Sequence, residues 1–339
     1  MTSQASREHD ATTGEADAGR HLPSCVKKLV LRPEFGVLVG LVTIWALFYS
    51  FSPKFLWPAN IGNVFTSAAL MGLIAVGMAL LLISGEFDIS VGSVYVIAPT
   101  LMIRIAQGLG VPLLLSMFLA LAVVGAIGFC NGVLTVKLRL PSFIVTLATM
   151  LLLSGLLLSV TGGFVTEYSG HPLLFTVLAK RIGSFRVSTL WTLGIVALFA
   201  VILDHTKYGN WVYATGGDVE VARKMGIRVH RVKITNFVIC SVLAGFAGCL
   251  SAARVYSVRP NTGFDLMFNA MAAAIIGGCL ITGGRGSIVG TFIGALLLCS
   301  VSSGLILAGA SPYWYRAFVG GIILLVVIIN LVLMRRLRR

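Results

Sequence analysis

The sequence predicts an all-α polytopic membrane protein of about ten transmembrane helices, and its composition gives the first reason. Of its 339 residues, 57% are hydrophobic and 11% are charged, whereas a soluble domain carries about 25% charged residues. The mean hydropathy is +0.96. The second reason is that apolar segments near the ~20 residues that cross a bilayer as a helix recur along almost the whole chain.

Ten apolar segments can be delimited. They cover roughly residues 34–52, 61–84, 89–108, 111–136, 141–161, 187–204, 233–253, 265–282, 286–309 and 315–334. Residues 1–30 are rich in Ser, Thr, Ala and acidic residues and lack the apolar run of a signal peptide, so they are predicted to form a disordered cytoplasmic tail. Residues 31–339 are predicted to form one membrane domain, with a polar cytoplasmic loop at 205–233.

The distribution of basic residues predicts the orientation in the membrane. With both termini in the cytoplasm, eighteen of the 26 Lys and Arg residues fall on the inner side and seven on the outer side, while Arg104 lies within a span. The positive-inside rule favours this arrangement. It also accounts for the net charge of +14 without a nucleic-acid partner, since basic and aromatic residues do not interleave as in a nucleic-acid groove.

Residues Lys207–Lys233 form a polar island in this apolar sequence, and its centre has the pattern of one short helix. Asp218 can cap the helix after two glycines, and Gly226 is placed to end it. The charges between them suit the helix dipole, with Glu220 in the first turn and Arg223 and Lys224 in the last turn.

The apolar residues of this short helix predict that it docks. Val219, Ala222 and Met225 recur every three residues and form a narrow apolar stripe. A helix of about two turns is too short to be stable alone in water. It is therefore expected to pack on its own membrane domain or on another protein, although an ordinary positively charged loop also fits the pattern.

The residue types argue against several classes of chemistry. Six cysteines are present, none as CxxC and five inside apolar runs, so they are interpreted as small buried hydrophobes. The apolar segments hold almost no ionisable residue apart from Arg104, which disfavours an ion-coupled transporter. Five scattered histidines show neither a metal-ligand spacing nor a catalytic set.

Neutral hydrogen-bonding residues remain at membrane depth. They can line a path for a hydroxylated solute or simply bond neighbouring helices. Asp88 and Ser90 sit where a new helix starts and can cap it, while Gly92 permits close packing. The tentative pathway residues are Asp88, Ser90, Gly92, Ser93, Asn131 and Asn269.

A weak internal repeat connects two parts of the chain. Ile83–Ser93 (ISGEFDISVGS) aligns without gaps to Ile281–Thr291 (ITGGRGSIVGT), with four identities in eleven positions. Transporters are often built from repeats whose broken helices meet at the pathway. Chance similarity of glycine-rich turns is the alternative explanation.

Three motifs, taken together, resemble a known family. They are GEFDISVGS at residues 85–93, GNWVYATGGDVEVARKMGIRVHRVK at 209–233 and IIGGCLITGGRGSIVGTFIGALLL at 275–298. They are similar to motifs of the membrane permease subunits of ABC-type monosaccharide importers, the ribose, xylose and autoinducer-2 group. The resemblance covers about residues 35–334.

The resemblance implies a permease bundle of the type II ABC-importer kind in the inner membrane, working as a homo- or heterodimer. It implies no cofactor in this chain, because ATP and Mg²⁺ would be bound by a partner ATPase, and a periplasmic binding protein would deliver the sugar. By position in the motif, residues 218–226 would be the coupling helix that docks in the ATPase. Its coupling residues would be Asp218, Glu220, Ala222, Arg223, Lys224 and Gly226.

One departure from the family pattern bears on the substrate. Where the family often has Glu and Asp before the GG segment, this chain has Met267 and Asn269. The substrate is therefore left open among pentoses, deoxyhexoses, polyols and furanose signals. An ATP-independent facilitator or secondary transporter of a neutral solute is the alternative function, but the absence of a GxxxxGK motif followed by Ser or Thr agrees with an ATPase in another chain.

Overall fold

The computed structural model describes residues 33–170, 173–311, 313–315, 317–321 and 324. The predicted tail at residues 1–30 lies outside these residues. The helices are α1 (Pro33–Phe51), α2 (Pro58–Ile83), α3 (Val91–Leu109), α4 (Leu113–Lys137), α5 (Ser142–Thr161), α6 (Leu173–Ala179), α7 (Val187–His205), α8 (Lys207–Gly217), α9 (Val219–Lys224), α10 (Val229–Val255), α11 (Gly263–Ile276) and α12 (Ile288–Leu307).

Eight of the described helices are long and apolar enough to cross a membrane: α1, α2, α3, α4, α5, α7, α10 and α12. The prediction of a polytopic all-α membrane protein is confirmed. The segment predicted at 265–282 is wrong in extent, since α11 has 14 residues and would rise only about 21 Å. The chain leaves the helix at Gly277 and turns at Gly278, whose φ is +97°. The segment predicted at 315–334 lies mostly outside the described residues.

The core of the bundle is formed by α2 and α10. Every residue of α2 from Ala68 to Ile83 is buried, and α10 packs against α2, α3 and α4. Small residues allow the close approach that the sequence predicts. A methyl group added to Gly128 of α4 would lie 2.6 Å from the carbonyl oxygen of Phe237, and one added to Gly132 would lie 2.9 Å from Cα of Ile234.

A non-helical stretch, residues 84–90, runs from the end of α2 into the bundle before α3 begins. Ser90 accepts a hydrogen bond from Asn131, which lies six residues before α4 ends. At a rise of 1.5 Å per residue, α3 therefore starts about 9 Å inside that end of the bundle. Ser84, Asp88 and Ser90 are fully buried, which is the condition under which irregular backbone is tolerated at membrane depth.

Two helices begin at this inner level. The start of α3 meets the start of α11, since a methyl group on Gly263 would lie 1.9 Å from the carbonyl oxygen of Gly92. From there α11 runs to Gly277, which touches Thr291 in the first turn of α12. The described fold also contains a 3₁₀ helix (Pro53–Leu56) and four two-residue strands. They pair antiparallel as β1 (Thr166–Glu167) with β4 (Ser257–Val258) and β2 (Arg181–Ile182) with β3 (Phe185–Arg186).

Candidate functional site

The polar loop contains the predicted capped helix, α9. The Asp218 carboxylate accepts hydrogen bonds from the backbone N–H groups of Glu220 (2.8 Å) and Val221 (3.0 Å). At the other end, Gly226 has φ +81° and its N–H donates to the carbonyl of Arg223 at 2.9 Å. The Arg223 guanidinium also pairs with Glu220 at 2.9 Å. The caps are those that the sequence predicts, because both are local features of the chain.

The predicted apolar stripe of α9 is wrong in one respect. Ala222 is buried and Val219 is half-buried, but Met225 is 74% exposed. Val221, which the pattern did not single out, is 51% exposed. Val221 and Met225 are four residues apart and lie on one face. The helix therefore packs on its own chain through Ala222 and presents a second apolar face outward.

The first half of the polar loop is also helical, which the sequence did not predict. Helix α8 buries Gly209, Val212 and Thr215, and this three-residue spacing was the available signal. Tyr208 donates a hydrogen bond to the Asn236 side chain at 2.6 Å, and Tyr213 donates one to the carbonyl of Gly286 at 3.0 Å.

The two tyrosines keep their protons. Burial raises the pKa of both hydroxyl groups, and the nearby Asp204 carboxylate adds to the effect on Tyr213. Both hydroxyls therefore act as hydrogen-bond donors, and they tie α8 to α10 and to the loop between α11 and α12.

Four glycines bring three segments together, and we call them the glycine junction: Gly85, Gly216, Gly283 and Gly284. A methyl group on Gly216 would lie 1.8 Å from the carbonyl oxygen of Ile83, and one on Gly283 would lie 3.1 Å from Cα of Gly85. The N–H of Gly284 donates to Ile83 at 2.8 Å. Only glycine permits such backbone contact.

The junction joins the two halves of the weak internal repeat. Gly85 and Gly283 occupy equivalent positions in it, and their φ angles are +81° and +84°. Each segment leads from the end of one helix to the start of the next. A partly buried ion pair reinforces the junction, since the Lys233 ammonium lies 2.6 Å from the Glu86 carboxylate and both side chains are 14% exposed.

Three of the six tentative pathway residues, Asp88, Ser90 and Asn131, belong to one hydrogen-bond network. The Asp88 carboxylate accepts hydrogen bonds from the N–H (2.7 Å) and hydroxyl (2.6 Å) of Ser90. Asn131 donates to the Ser90 hydroxyl at 3.0 Å and accepts from Thr149 at 2.7 Å. The second oxygen of Asp88 is buried without a partner. This network links the stretch before α3 to α4 and α5.

The other three tentative residues line two separate cavities. Gly92 and Ser93 line one of about 390 Å³ between α3, α5 and the start of α11. Asn269 lines one of about 470 Å³ together with residues of α2, α10 and α12. The structure thus places the six residues at three positions. In the described part of the chain, no group of three or more His, Cys, Asp or Glu side chains is placed to hold a metal ion.

Comparison with known proteins decides the family. Residues 60–327 match the family described as the permease component of branched-chain amino acid transport systems. The chain belongs to this family. The resemblance to ABC-type importer permeases is confirmed, and the chain is a multi-pass membrane permease component.

Three relatives show which branch of the family the chain resembles. It is 35% identical to the ribose import permease protein RbsC of Escherichia coli K12, over 86% of this chain and 92% of that protein. It is 30% identical to the xylose/arabinose import permease protein XylH of Sulfolobus acidocaldarius, over 90% and 86%. It is 33% identical to the autoinducer 2 import system permease protein LsrC of Enterobacter sp. 638, over 90% and 88%. No solved structure matches the chain significantly.

Proposed function

We propose that this chain is the membrane subunit of an ATP-driven importer for a monosaccharide or a similar neutral polyhydroxylated solute. ATP and Mg²⁺ are bound and hydrolysed by a partner ATPase, and a binding protein delivers the solute from the other side. The observation that carries the proposal is the exposed apolar face of α9 on a helix that is capped and anchored. The names of the three relatives supply the substrate class.

The exposed face of α9 has the chemistry of a docking element. Burying an apolar side chain of this size is favourable by about 1.5–3 kcal/mol, and both Val221 and Met225 are more than half exposed. Arg223 and Lys224 place positive charge beside them. A short helix with two apolar anchors and flanking charges suits a groove in a partner protein. Ala222, by contrast, contributes to coupling by holding the helix against its own chain.

Movement of α9 has a direct route into the bundle. Gly217 precedes the Asp218 cap, and a methyl group on Gly284 would lie 2.8 Å from Cα of Gly217. The loop that carries Gly284 continues from α11, whose first residue touches α3. We infer that closure of two ATPase subunits pulls on α9 and shifts α11 and α3 between two packed arrangements. The dimer would contain two permease subunits, identical or different.

The charge distribution supports an orientation with α9 in the cytoplasm. The Lys and Arg count of eighteen against seven favours both termini inside. Under this orientation the 470 Å³ cavity lies in the outer half of the bundle, because it is lined by the first half of α2 and the second half of α12. A solute delivered from outside would reach that cavity first.

The test is reconstitution of the chain with its ATPase partner in proteoliposomes, with uptake of labelled ribose, xylose and arabinose. We expect uptake that requires ATP, and Val221→Asp should abolish uptake and ATPase assembly while the chain remains inserted. Asn210→Asp is the matched control, since it makes an exposed residue of the neighbouring helix acidic. Full-rate uptake by this chain alone would establish the facilitator alternative instead.

A second substrate class is raised by the description of the family, which names branched-chain amino acids. Labelled leucine and valine in the same proteoliposomes separate the two classes. Saturable ATP-dependent uptake of leucine with none of any pentose would overturn the sugar assignment while leaving the importer mechanism in place.

A further inference from the structure

The larger cavity is distinguished by the polarity of its wall. Its polar lining includes Asn60, Asn63, Ser67, Asn269, Ser302 and Ser303, and we call it the asparagine-lined cavity. Its volume is about 470 Å³, within the range of ~300–1,000 Å³ that small-molecule sites occupy. It lies in the half of the bundle away from α9, between helices α2, α10, α11 and α12.

Most of these polar side chains are unused by the fold. Asn60 and Ser303 are fixed to each other, with the Ser303 hydroxyl donating to the Asn60 side chain at 2.6 Å. Within the described part of the chain, the other four form no side-chain hydrogen bond: Asn63, Ser67, Asn269 and Ser302. Ser, Thr and Asn that serve only to join helices would be bonded to them. Four unbonded groups on one cavity are available to a solute.

One fixed charge faces the same space. Arg254, at the end of α10, lines the cavity, and no acidic side chain is among the described residues that line it. Arg254 forms no ion pair with any described carboxylate. Arg254 is therefore a charged hydrogen-bond donor in a wall whose other described polar groups are neutral.

We propose that the asparagine-lined cavity binds the solute during translocation, and that Arg254 determines specificity by donating two parallel hydrogen bonds to adjacent oxygens of that solute. Adjacent hydroxyls of a neutral sugar and the carboxylate of a sugar acid both present this oxygen pair. The planar guanidinium is built for such a pair, whereas an ammonium is not. The proposal deepens the proposed function and rests on its assignment of the chain as a solute permease.

The test uses the full chain in membrane vesicles and needs neither ATP nor the ATPase, so its failure is distinguishable from failure of the importer assignment. The six native cysteines are replaced, and one cysteine is introduced as Ser67→Cys. Ser154→Cys, in the smaller cavity, is the matched control. The rates of reaction with an anionic and a cationic methanethiosulfonate reagent of similar size are compared at each site.

The ratio of the anionic to the cationic reaction rate should be about five- to tenfold higher at residue 67 than at residue 154, because one positive charge lies near residue 67. Arg254→Gln should remove that preference, and Arg254→Lys should keep it. Equal ratios at both sites, no reaction at residue 67, or a ratio insensitive to Arg254→Gln would each overturn the proposal. Ser302→Cys replaces Ser67→Cys if the latter fails to insert.

Protection experiments then test solute binding and separate its two sources. D-xylose and D-xylonate are each added before labelling. The solute class that the cavity binds should slow labelling at residue 67 and leave labelling at residue 154 unchanged. In Arg254→Lys this protection of residue 67 should be lost. Protection by xylose identifies adjacent hydroxyls as the recognised group, and protection by xylonate alone identifies a carboxylate. No protection by xylose, ribose, xylonate or ribonate would overturn the binding role.

Discussion

Replacement of Gly216 by alanine tests the glycine junction most directly. The added methyl group would lie 1.8 Å from the carbonyl oxygen of Ile83 and 2.7 Å from the nitrogen of Gly284. Both are backbone atoms, so no side chain can rotate away. The same two groups form a hydrogen bond of 2.8 Å. The methyl group must therefore separate the two segments that the bond joins.

The magnitude follows from these two effects. Forcing extra volume into a packed interior costs about 1–3 kcal/mol, and the lost hydrogen bond costs about 1 kcal/mol. We expect Gly216→Ala to destabilise the chain by about 2–4 kcal/mol in total. Gly217→Ala is the matched control, because a methyl group there meets nothing within 4 Å.

Two measurements check this prediction. The first is the fraction of detergent-purified chain that remains monodisperse after heating, which should fall for Gly216→Ala and hold for Gly217→Ala. The second is ATP-driven uptake in proteoliposomes, which should be lost for Gly216→Ala alone. If both variants match the native chain in stability and uptake, the backbone contact of α8 with Ile83 and Gly284 at the glycine junction is refuted.

Three further predictions concern the route from α9 to the cavities. Glu86→Gln or Lys233→Gln should each destabilise the chain by about 1–3 kcal/mol, because one charge is left largely buried, and exchanging the two residues should restore heat stability. Asp218→Ala should weaken binding of the ATPase, measured by co-purification, since a lost cap costs about 1 kcal/mol; Asp218→Asn, which can still accept both N–H bonds, should not. Gly277→Ala, whose methyl group would lie 2.4 Å from Cα of Thr291, should abolish uptake but retain the ATPase, whereas Gly194→Ala meets nothing within 4 Å and should leave both intact.

The features that the sequence predicted correctly are those determined locally. Long spans follow from runs of apolar residues, and the ends of α9 follow from Asp218 and Gly226, whose hydrogen-bond partners lie two or three residues away. Helix α8 was missed because its glycine-, tyrosine- and tryptophan-rich sequence has low intrinsic helix propensity. Its stability comes from contacts such as those of Tyr208 with α10 and Tyr213 with the loop after α11, and no local pattern reports these.

The extent of α11 and the grouping of the pathway residues could not be predicted for a related reason. The apolar composition continues past Ile276 through Leu280 and Ile281, so hydropathy gives no sign that the helix stops. Likewise, which face of a span lines a cavity depends on how its neighbours pack. Ser93 and Asn269 therefore lie in different cavities, although both were predicted as pathway residues by the same argument.

The short length of α11 gives it a role that a full span could not have. Asn269 in the asparagine-lined cavity is eight residues from Gly277, a distance of about 12 Å along the helix. Beyond Gly277 the same segment carries Gly284 to within contact of Gly217, next to the cap of α9. One rigid helix and one glycine loop thus connect the proposed solute site with the proposed ATPase contact. We expect that a displacement of α9, transmitted through this backbone contact, changes the position of Asn269 without a rearrangement of the buried core formed by α2 and α10.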